Sequence, residues 1–413
     1  MATPPVPELK TSPGTAAGQS SSRDRLRRPR RVRMAAAVRS AAVAFDGTPP
    51  VARRLGCSPE ELEQSVRDAT GLGVAELVLE ERTRTAETLL NATALPSTQI
   101  AQLAGFRDVG EMLEALNRAE GRRGPKPQGE CHPDRIELTV CLPYTAPLNF
   151  DEILAYLRMR QLNAIERVDA SSYTRAFASG HGSALITLSM ASTRIGCRIQ
   201  ADDERDLHDV ILRARRVLDL DVDPVAIDTL LSTDASLAPL VAQRPGLRSP
   251  GAVDGFEVAV RGIIGQQISV AAARRRLNRI VTEHGSVLPG SDLRLFPTPE
   301  QFAAIAPVAL SLPPSRAKSL HVLAEACAEG RVTLDPAADR STERATLLSL
   351  YGIGPWTEQY IAMRAMGDRD ILLATDLGVV KSAERHGVSL AEGREDLAPW
   401  RSYVSNHLWA ADH

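Results

Sequence analysis

The hydrophobic period changes twice along this chain, and no other feature constrains its fold more. From about residue 34 to 121 apolar residues recur at helical spacing, with polar breaks at Gly56-Cys57-Ser58-Pro59 and Leu95-Pro96-Ser97. At 136 the period becomes two: segments 136–144, 164–168, 172–178, 182–189 and 194–200 are rich in Ile, Val, Thr and Tyr and are separated by Gly or Ser turns. Helices 151–161 and 204–218, starting near Asp151 and Asp203, interrupt these strands. From about 222 the period is helical again, with helices expected at 224–232, 235–243, 254–266, 269–284, 299–304, 307–310, 314–329, 341–349, 355–366, 377–385, 392–396 and 399–411. Sheet faces and helical stripes are each buried against a matching layer. The expectation is therefore a multidomain α+β protein: a helical N-terminal segment, a small antiparallel α+β domain and an all-α domain.

The boundaries follow from composition: 1–33 a tail, 34–121 the helical segment, 122–135 a linker (RRGPKPQGECHPDR), 136–221 the α+β domain and 222–413 the helical domain. A chain of 413 residues with 43% hydrophobic content can bury more than one core. No apolar run reaches the roughly 18 residues of a membrane helix, and the N-terminus opens on Pro, Ser and charge. The chain is thus expected in the cytoplasm, with no membrane partner. Cys57, Cys131, Cys141, Cys197 and Cys327 stand singly, without a C-x-x-C pair or a His at ligand spacing, which argues against a zinc site or disulfide framework. With a formal net charge of -2, any nucleic-acid surface must be a local basic face.

Residues 1–33 combine Pro, Gly, Ser and Thr with an arginine run, Arg23, Arg25, Arg27, Arg28, Arg30, Arg31 and Arg33. Such a segment is a disordered arm or a phosphate-binding one. Downstream, Ser58 before Pro59 is an N-cap with proline at the first helical position. The stretches VARRLGCSPEELEQSVRDATGLG and TQIAQLAGFRDVGEMLEALNRAEG resemble the twin helix-turn-helix units of AraC-type regulators. In those units the second helix enters the major groove. Here those helices carry Glu60, Glu61 and Glu63, then Asp108, Glu111 and Glu114, against a polyanion. The segment is either a weakened DNA reader or a helical appendage that packs on the rest of the chain or idles.

The stretch Leu350-Tyr351-Gly352-Ile353-Gly354-Pro355-Trp356-Thr357 ends one helix, turns through two glycines and starts the next at a proline. Exposed amides beside a helix N-terminus suit a phosphate oxygen. About twenty residues on, DRDILLATDLGVVK sets Asp376 at a helix start. Hairpin followed by aspartate is the signature of the helix-hairpin-helix glycosylase superfamily. With PGLRSPGAVDGFEVAVRGIIGQQISV (245–270) and PWRSYVSNHLW (399–409), residues 136–411 resemble the bacterial 3-methyladenine DNA glycosylase II family. In related fusions this enzyme follows an AraC-type segment and a four-cysteine alkyl-phosphotriester domain. Neither that cysteine cluster nor a Pro-Cys-His alkyltransferase motif is present here.

The resemblance implies double-stranded DNA with alkylated bases as the partner, base excision as the activity, a monomer, and no required cofactor. It places Asp376 at the catalytic position, where a carboxylate stabilises an oxocarbenium-like sugar. A cap role for the same side chain is compatible. Alkylation makes the base a good leaving group, so a strong general acid is dispensable. Trp356 stands where relatives that nick the strand place a Schiff-base lysine, which implies a monofunctional enzyme leaving an abasic site. Tyr360, Trp400 and Tyr156 match rings that stack on the flipped base, with core packing an alternative for Tyr156. Gln267, beside Gln266, matches the wedge that fills the gap, or is a solvent-facing residue at a helix end. Gly352, Ile353, Gly354 and Thr357 match the hairpin's DNA contacts. The family also implies Na+ or K+ on the main-chain carbonyls of Leu348, Leu350 and Ile353. Arg401 and Lys381 are candidate phosphate contacts or plain surface charge. Lesion choice among methylated adenine, methylated guanine, hypoxanthine and etheno adducts stays open. A rival function is a transcription regulator in which residues 34–121 read an operator.

Overall fold

The computed structural model describes residues 34–119, 135–191 and 194–412, apart from positions 36, 40, 44, 93 and 94. The expected tail 1–33 and all of the linker except Arg135 lie outside the described residues. In the N-terminal segment, α1 (Thr48–Arg54) and α2 (Pro59–Thr70) form the first helix-turn-helix unit. Ser58 caps α2 by accepting the Glu61 amide at 3.1 Å, with Pro59 at the first helical position. Val51, Leu55, Leu62 and Val66 make the unit's core with Leu77 of α3 (Val74–Ala92). The second unit is α4 (Ser97–Leu103) and α5 (Val109–Ala119).

Five strands follow: β1 (Ile136–Leu142), β2 (Glu166–Val168), β3 (Ser172–Ser179), β4 (Gly182–Ala191) and β5 (Arg194–Ala201). Their order across the sheet is β1-β5-β4-β3-β2, every pairing antiparallel, with Val140 opposite Cys197 and Leu188 opposite both Tyr173 and Cys197. Alternation of buried and exposed residues leaves one face for α6 (Phe150–Arg160) and α7 (Leu207–Val217). The expected helix 204–218 begins as a single tight turn, Glu204–Asp206, capped by Asp203, before α7.

The remainder is helical: α8 (Pro224–Leu231), α9 (Ala238–Gln243), α10 (Gly255–Gly265), α11 (Val270–His284), α12 (Pro299–Ala303), α13 (Pro314–Ala328), α14 (Arg340–Ser349), α15 (Pro355–Arg364), α16 (Leu377–His386) and α17 (Arg401–Ala411). Two expected helices come out differently. Residues 307–310 are a turn, because a run of four residues closes too few bonds to offset helix nucleation. The segment 391–397 is a 3-10 turn. One core, including Phe256, Phe302, Leu320, Ile361 and Leu373, fills the helical domain.

A buried ion lattice joins sheet to helices. Arg175, 1% exposed, lies between Glu166 and Glu257, and Arg261 reaches the same two carboxylates at 2.8 and 2.7 Å. Tyr173 donates its hydroxyl to Glu166 at 2.6 Å, and Arg261 also donates to the Arg160 carbonyl at 2.7 Å. Each charged member meets an opposite charge, so the lattice ties the sheet and α6 to α10.

The helix-turn-helix segment is docked. Leu89, Ile100, Phe106 and Met112 share one apolar cluster with Leu138, Val140 and Leu142 of β1. Thr85 Oγ1 lies 3.2 Å from His208 Nδ1, Gln99 bonds Glu204, and Ala337 enters the first unit's core. The segment thus packs on the rest of the chain. Among the described residues no helix is long and apolar enough to cross a membrane.

Candidate active site

The hairpin is shaped by two glycines. α14 ends at Ser349, and Gly352 takes φ 79°, a left-handed conformation that glycine adopts freely. A Cβ there would fall 1.8 Å from Ser319 Oγ, so the turn presses against α13. Gly354 then leads into α15 with Pro355 at its first position. Gly352 and Gly354 are exposed and Ile353 is buried, so the turn shows backbone outward and anchors an apolar side chain inward. Trp356 and Tyr360, one turn apart on α15, stack with centroids 5.5 Å apart and planes 15° from parallel.

Asp376 is held from several directions. The extended run before it is stitched to α17: the Ile371 and Leu373 amides donate to Ser402 Oγ at 3.0 Å and Ser405 Oγ at 3.1 Å. At the N-cap of α16, Asp376 Oδ1 accepts the Gly378 and Val379 amides at 2.9 and 3.0 Å. It also accepts the indole N–H of Trp409 at 2.9 Å, while Oδ2 accepts that of Trp356 at 3.0 Å. Three donors occupy Oδ1, and one donor leaves Oδ2 with a free lone pair. The two indoles diverge from one carboxylate, and both rings are half-buried.

Tyr156, on α6, belongs to the same cluster: Arg364 lies 4.8 Å from its ring centroid and 5.2 Å from that of Trp409. The arginines Arg364, Arg160 and Arg261 draw the Tyr156 phenol below its ordinary range, although burial opposes them. Tyr360 moves the other way, raised first by burial and then by Tyr156.

Gln267 sits exposed between α10 and α11 at φ 58°, an uncommon conformation for a residue with a side chain. Its neighbour Gln266 fixes the loop to the hairpin, donating Nε2 to Thr357 Oγ1 at 2.8 Å and to the Gly352 carbonyl at 3.2 Å. Arg316 closes the arrangement by donating to the Gln266 carbonyl at 2.9 Å. Loop and hairpin are one mechanical unit.

Three residues expected at the site play other parts. Trp400 precedes α17 at the end opposite Trp409, packs edge-on against Tyr403 at 5.9 Å, and lines a different cavity. That cavity, about 520 Å³, lies between the helix-turn-helix segment and the helical domain, bordered by Arg39, Arg84, Arg216 and Arg369. Arg401 is consumed by Asp370, at 2.7 and 2.9 Å, and by Glu395 at 2.7 Å, so no charge is left over for a phosphate. Thr357 is 2% exposed and its hydroxyl serves Gln266, which makes it a support of the hairpin instead of a DNA contact. Lys381 is exposed on α16. Sequence reasoning missed Trp409 and Arg364; the first lay in plain view in the closing HLW of the 399–409 motif.

Residues 139–254 match the model of the AlkA N-terminal domain, and residues 51–123 match a helix-turn-helix domain. The chain is 33% identical over 381 residues to a probable bifunctional transcriptional activator/DNA repair enzyme AlkA of Mycobacterium tuberculosis, covering 88% of this chain and 76% of that one. It is 32% identical to DNA-3-methyladenine glycosylase 2 of Escherichia coli, over 65% of this chain and 95% of the relative. Among solved structures, a 3-methyladenine DNA-glycosylase from Archaeoglobus fulgidus superposes with a TM-score of 0.58 at 20% identity, over 66% of this chain and 97% of the other. A Clostridium acetobutylicum 8-oxoguanine glycosylase/lyase bound to double-stranded DNA gives 0.52 at 15% identity, over 67% and 94%. The chain belongs to the AlkA family of DNA-3-methyladenine glycosylases, carrying an AraC-type helix-turn-helix segment in front of a helix-hairpin-helix glycosylase body.

Proposed function

We propose that the protein is a monofunctional DNA glycosylase of base excision repair, which flips an alkylated base of the 3-methyladenine type from duplex DNA and hydrolyses its glycosidic bond. The observation that carries this is the Asp376 carboxylate held by two indole N–H groups, one on each oxygen. The amides of the Gly352–Gly354 turn grip the phosphate backbone, and Lys381, exposed on α16, adds a further phosphate contact. Gln267 fills the gap in the stack, and the rings of Trp356, Trp409, Tyr360 and Tyr156 receive the base. Asp376 Oδ2 faces the anomeric carbon as positive charge develops on the sugar, and water completes the hydrolysis. Trp356 offers no amine for an imine, so the product is an abasic site without strand scission.

The main-chain carbonyls of Leu348, Leu350 and Ile353 fit a monovalent cation. Among the described residues those of Leu348 and Ile353 accept no turn hydrogen bond, and that of Leu350 accepts only the Ile353 amide at 3.3 Å. Na+ or K+ there would stiffen the hairpin and reinforce its attraction for phosphate. On this reading the protein acts as a monomer on chromosomal DNA in the cytoplasm. The regulator reading is weaker: the exposed residues Glu60, Glu61 and Asp68 of α2 and Glu114 of α5 oppose a phosphate backbone.

The test is incubation of purified protein with methylated duplex DNA, scoring free base and strand breaks before and after alkali. Free 3-methyladenine with breaks only after alkali is expected. Breaks without alkali would overturn the monofunctional assignment, and no free base would overturn the whole.

A further inference from the structure

The stripe of α15 that carries Trp356 and Tyr360 continues one turn further to Arg364. Its side chain is buried, and it donates to the Pro250 carbonyl at 2.8 Å and to Asn406 Oδ1 at 2.7 Å. Both acceptors are neutral, Nε has no acceptor, and among the described residues no carboxylate is paired with it. The guanidinium lies against the rings of both Tyr156 and Trp409. Arg160 adds a second guanidinium 4.1 Å from the Tyr156 centroid. A guanidinium with no carboxylate at ion-pair distance among the described residues thus stands behind two rings of the base pocket.

The effect of that charge depends on the base. When the glycosidic bond breaks, its electron pair stays on the base nitrogen. A cationic alkylated base therefore leaves neutral, while a neutral purine leaves with negative charge. Water supplies oxygen to the sugar carbon, and the proton it sheds ends on the departing neutral purine, which balances the hydrolysis. A fixed cation opposes the binding of the first kind of base and stabilises the departure of the second. The faces of Tyr156 and Trp409 turned to Arg364 are also already engaged by a cation, which weakens what they offer a cationic ligand.

We propose that Arg364 sets lesion preference, as a positioning residue whose charge favours excision of neutral purines such as hypoxanthine over cationic ones such as 7-methylguanine. This rests on the glycosylase function proposed above. A base in contact with the far face of Trp409 sits about 3.5–4 Å beyond the ring. That puts it roughly 9 Å from the guanidinium, where two unit charges at an effective dielectric of about 20 shift an equilibrium about 20-fold. A partly developed charge gives on the order of tenfold.

The experiment uses the full chain and two duplexes that differ only in carrying hypoxanthine or 7-methylguanine at one position. The readout is the ratio of kcat/KM values, in which any loss of folded protein cancels. Arg364→Gln keeps a hydrogen-bond donor without the charge, and Arg364→Lys keeps the charge. Wild type is expected to release both bases, with the hypoxanthine-to-7-methylguanine ratio about tenfold lower in the Gln variant and within about threefold of wild type in the Lys variant. An unchanged ratio in Arg364→Gln, an equal fall in Arg364→Lys, or a wild type that acts on 7-methylguanine alone would overturn the proposal while leaving the glycosylase function standing. A wild type that releases neither base overturns both.

Discussion

Replacing Gln267 by glycine is expected to move stability and activity in opposite directions. The residue is held at φ 58°, and the left-handed region costs a residue with a Cβ about 1–2 kcal/mol. Glycine removes that cost but returns about 0.5–1 kcal/mol through the greater freedom of its unfolded chain. The net gain is about 0.5–1 kcal/mol, which for a body of this size raises the melting temperature by roughly 1–4 °C. The same substitution deletes the side chain that fills the space left by the flipped base. A lost stacking contact of about 1–3 kcal/mol slows base release about five- to 150-fold. Gln267→Ala separates the two effects: it loses the wedge and keeps the strain, so release slows equally and the melting temperature does not rise. Thermal melts and single-turnover release from a 7-methylguanine duplex read both quantities. Wild-type release rates in both variants would refute the wedge, and a glycine variant that melts several degrees lower would refute the strain.

Trp409→Phe removes one donor from Asp376 while keeping a ring, so kcat should fall about ten- to 150-fold with little change in KM, since a hydrogen bond to a charged group contributes about 1.5–3 kcal/mol. Gly352→Ala brings a Cβ against Ser319 and strains φ 79°, and should lower the melting temperature and weaken binding to undamaged duplex measured by anisotropy. Leu89→Glu, in the cluster shared with β1, should destabilise helix-turn-helix segment and sheet together, and two well-separated melting steps would contradict a shared core. Burial lowers His208 and His407 to about 4 from an ordinary 6.5, so the folded state keeps them neutral. Their contribution is complete above pH 6.5 and is lost as pH falls toward 4, because the unfolded chain takes up protons first. Urea unfolding at pH 7 and 4.5 should show that loss, and His407→Gln should reduce it.

How much was legible in the sequence follows from what periodicity records. Alternation in 172–178 and 182–189 specifies a face and a direction, and the observed strands match closely. Local chemistry was equally readable: Ser58 with Pro59, and Gly352 with Pro355, act through their own backbone. Tertiary engagement was not. Trp400 and Trp409 lie nine residues apart near one helix, on opposite faces at about 100° per residue, and only the fold decides which meets Asp376. Arg401 and Thr357 resemble free surface groups until Asp370 and Gln266 are placed beside them. The apolar faces of α3 and α4 were visible, but their partner, the edge strand β1, begins more than thirty residues later and leaves no mark on helical spacing.

The central claim is that one carboxylate drives bond cleavage, and Asp376→Asn tests it most directly, because asparagine caps a helix as well as aspartate does. With enzyme in excess over a duplex bearing a single 7-methylguanine, the first-order rate of base release should fall on the order of 100- to 1000-fold while affinity for the duplex holds. Release by the asparagine protein at the parental rate would contradict it.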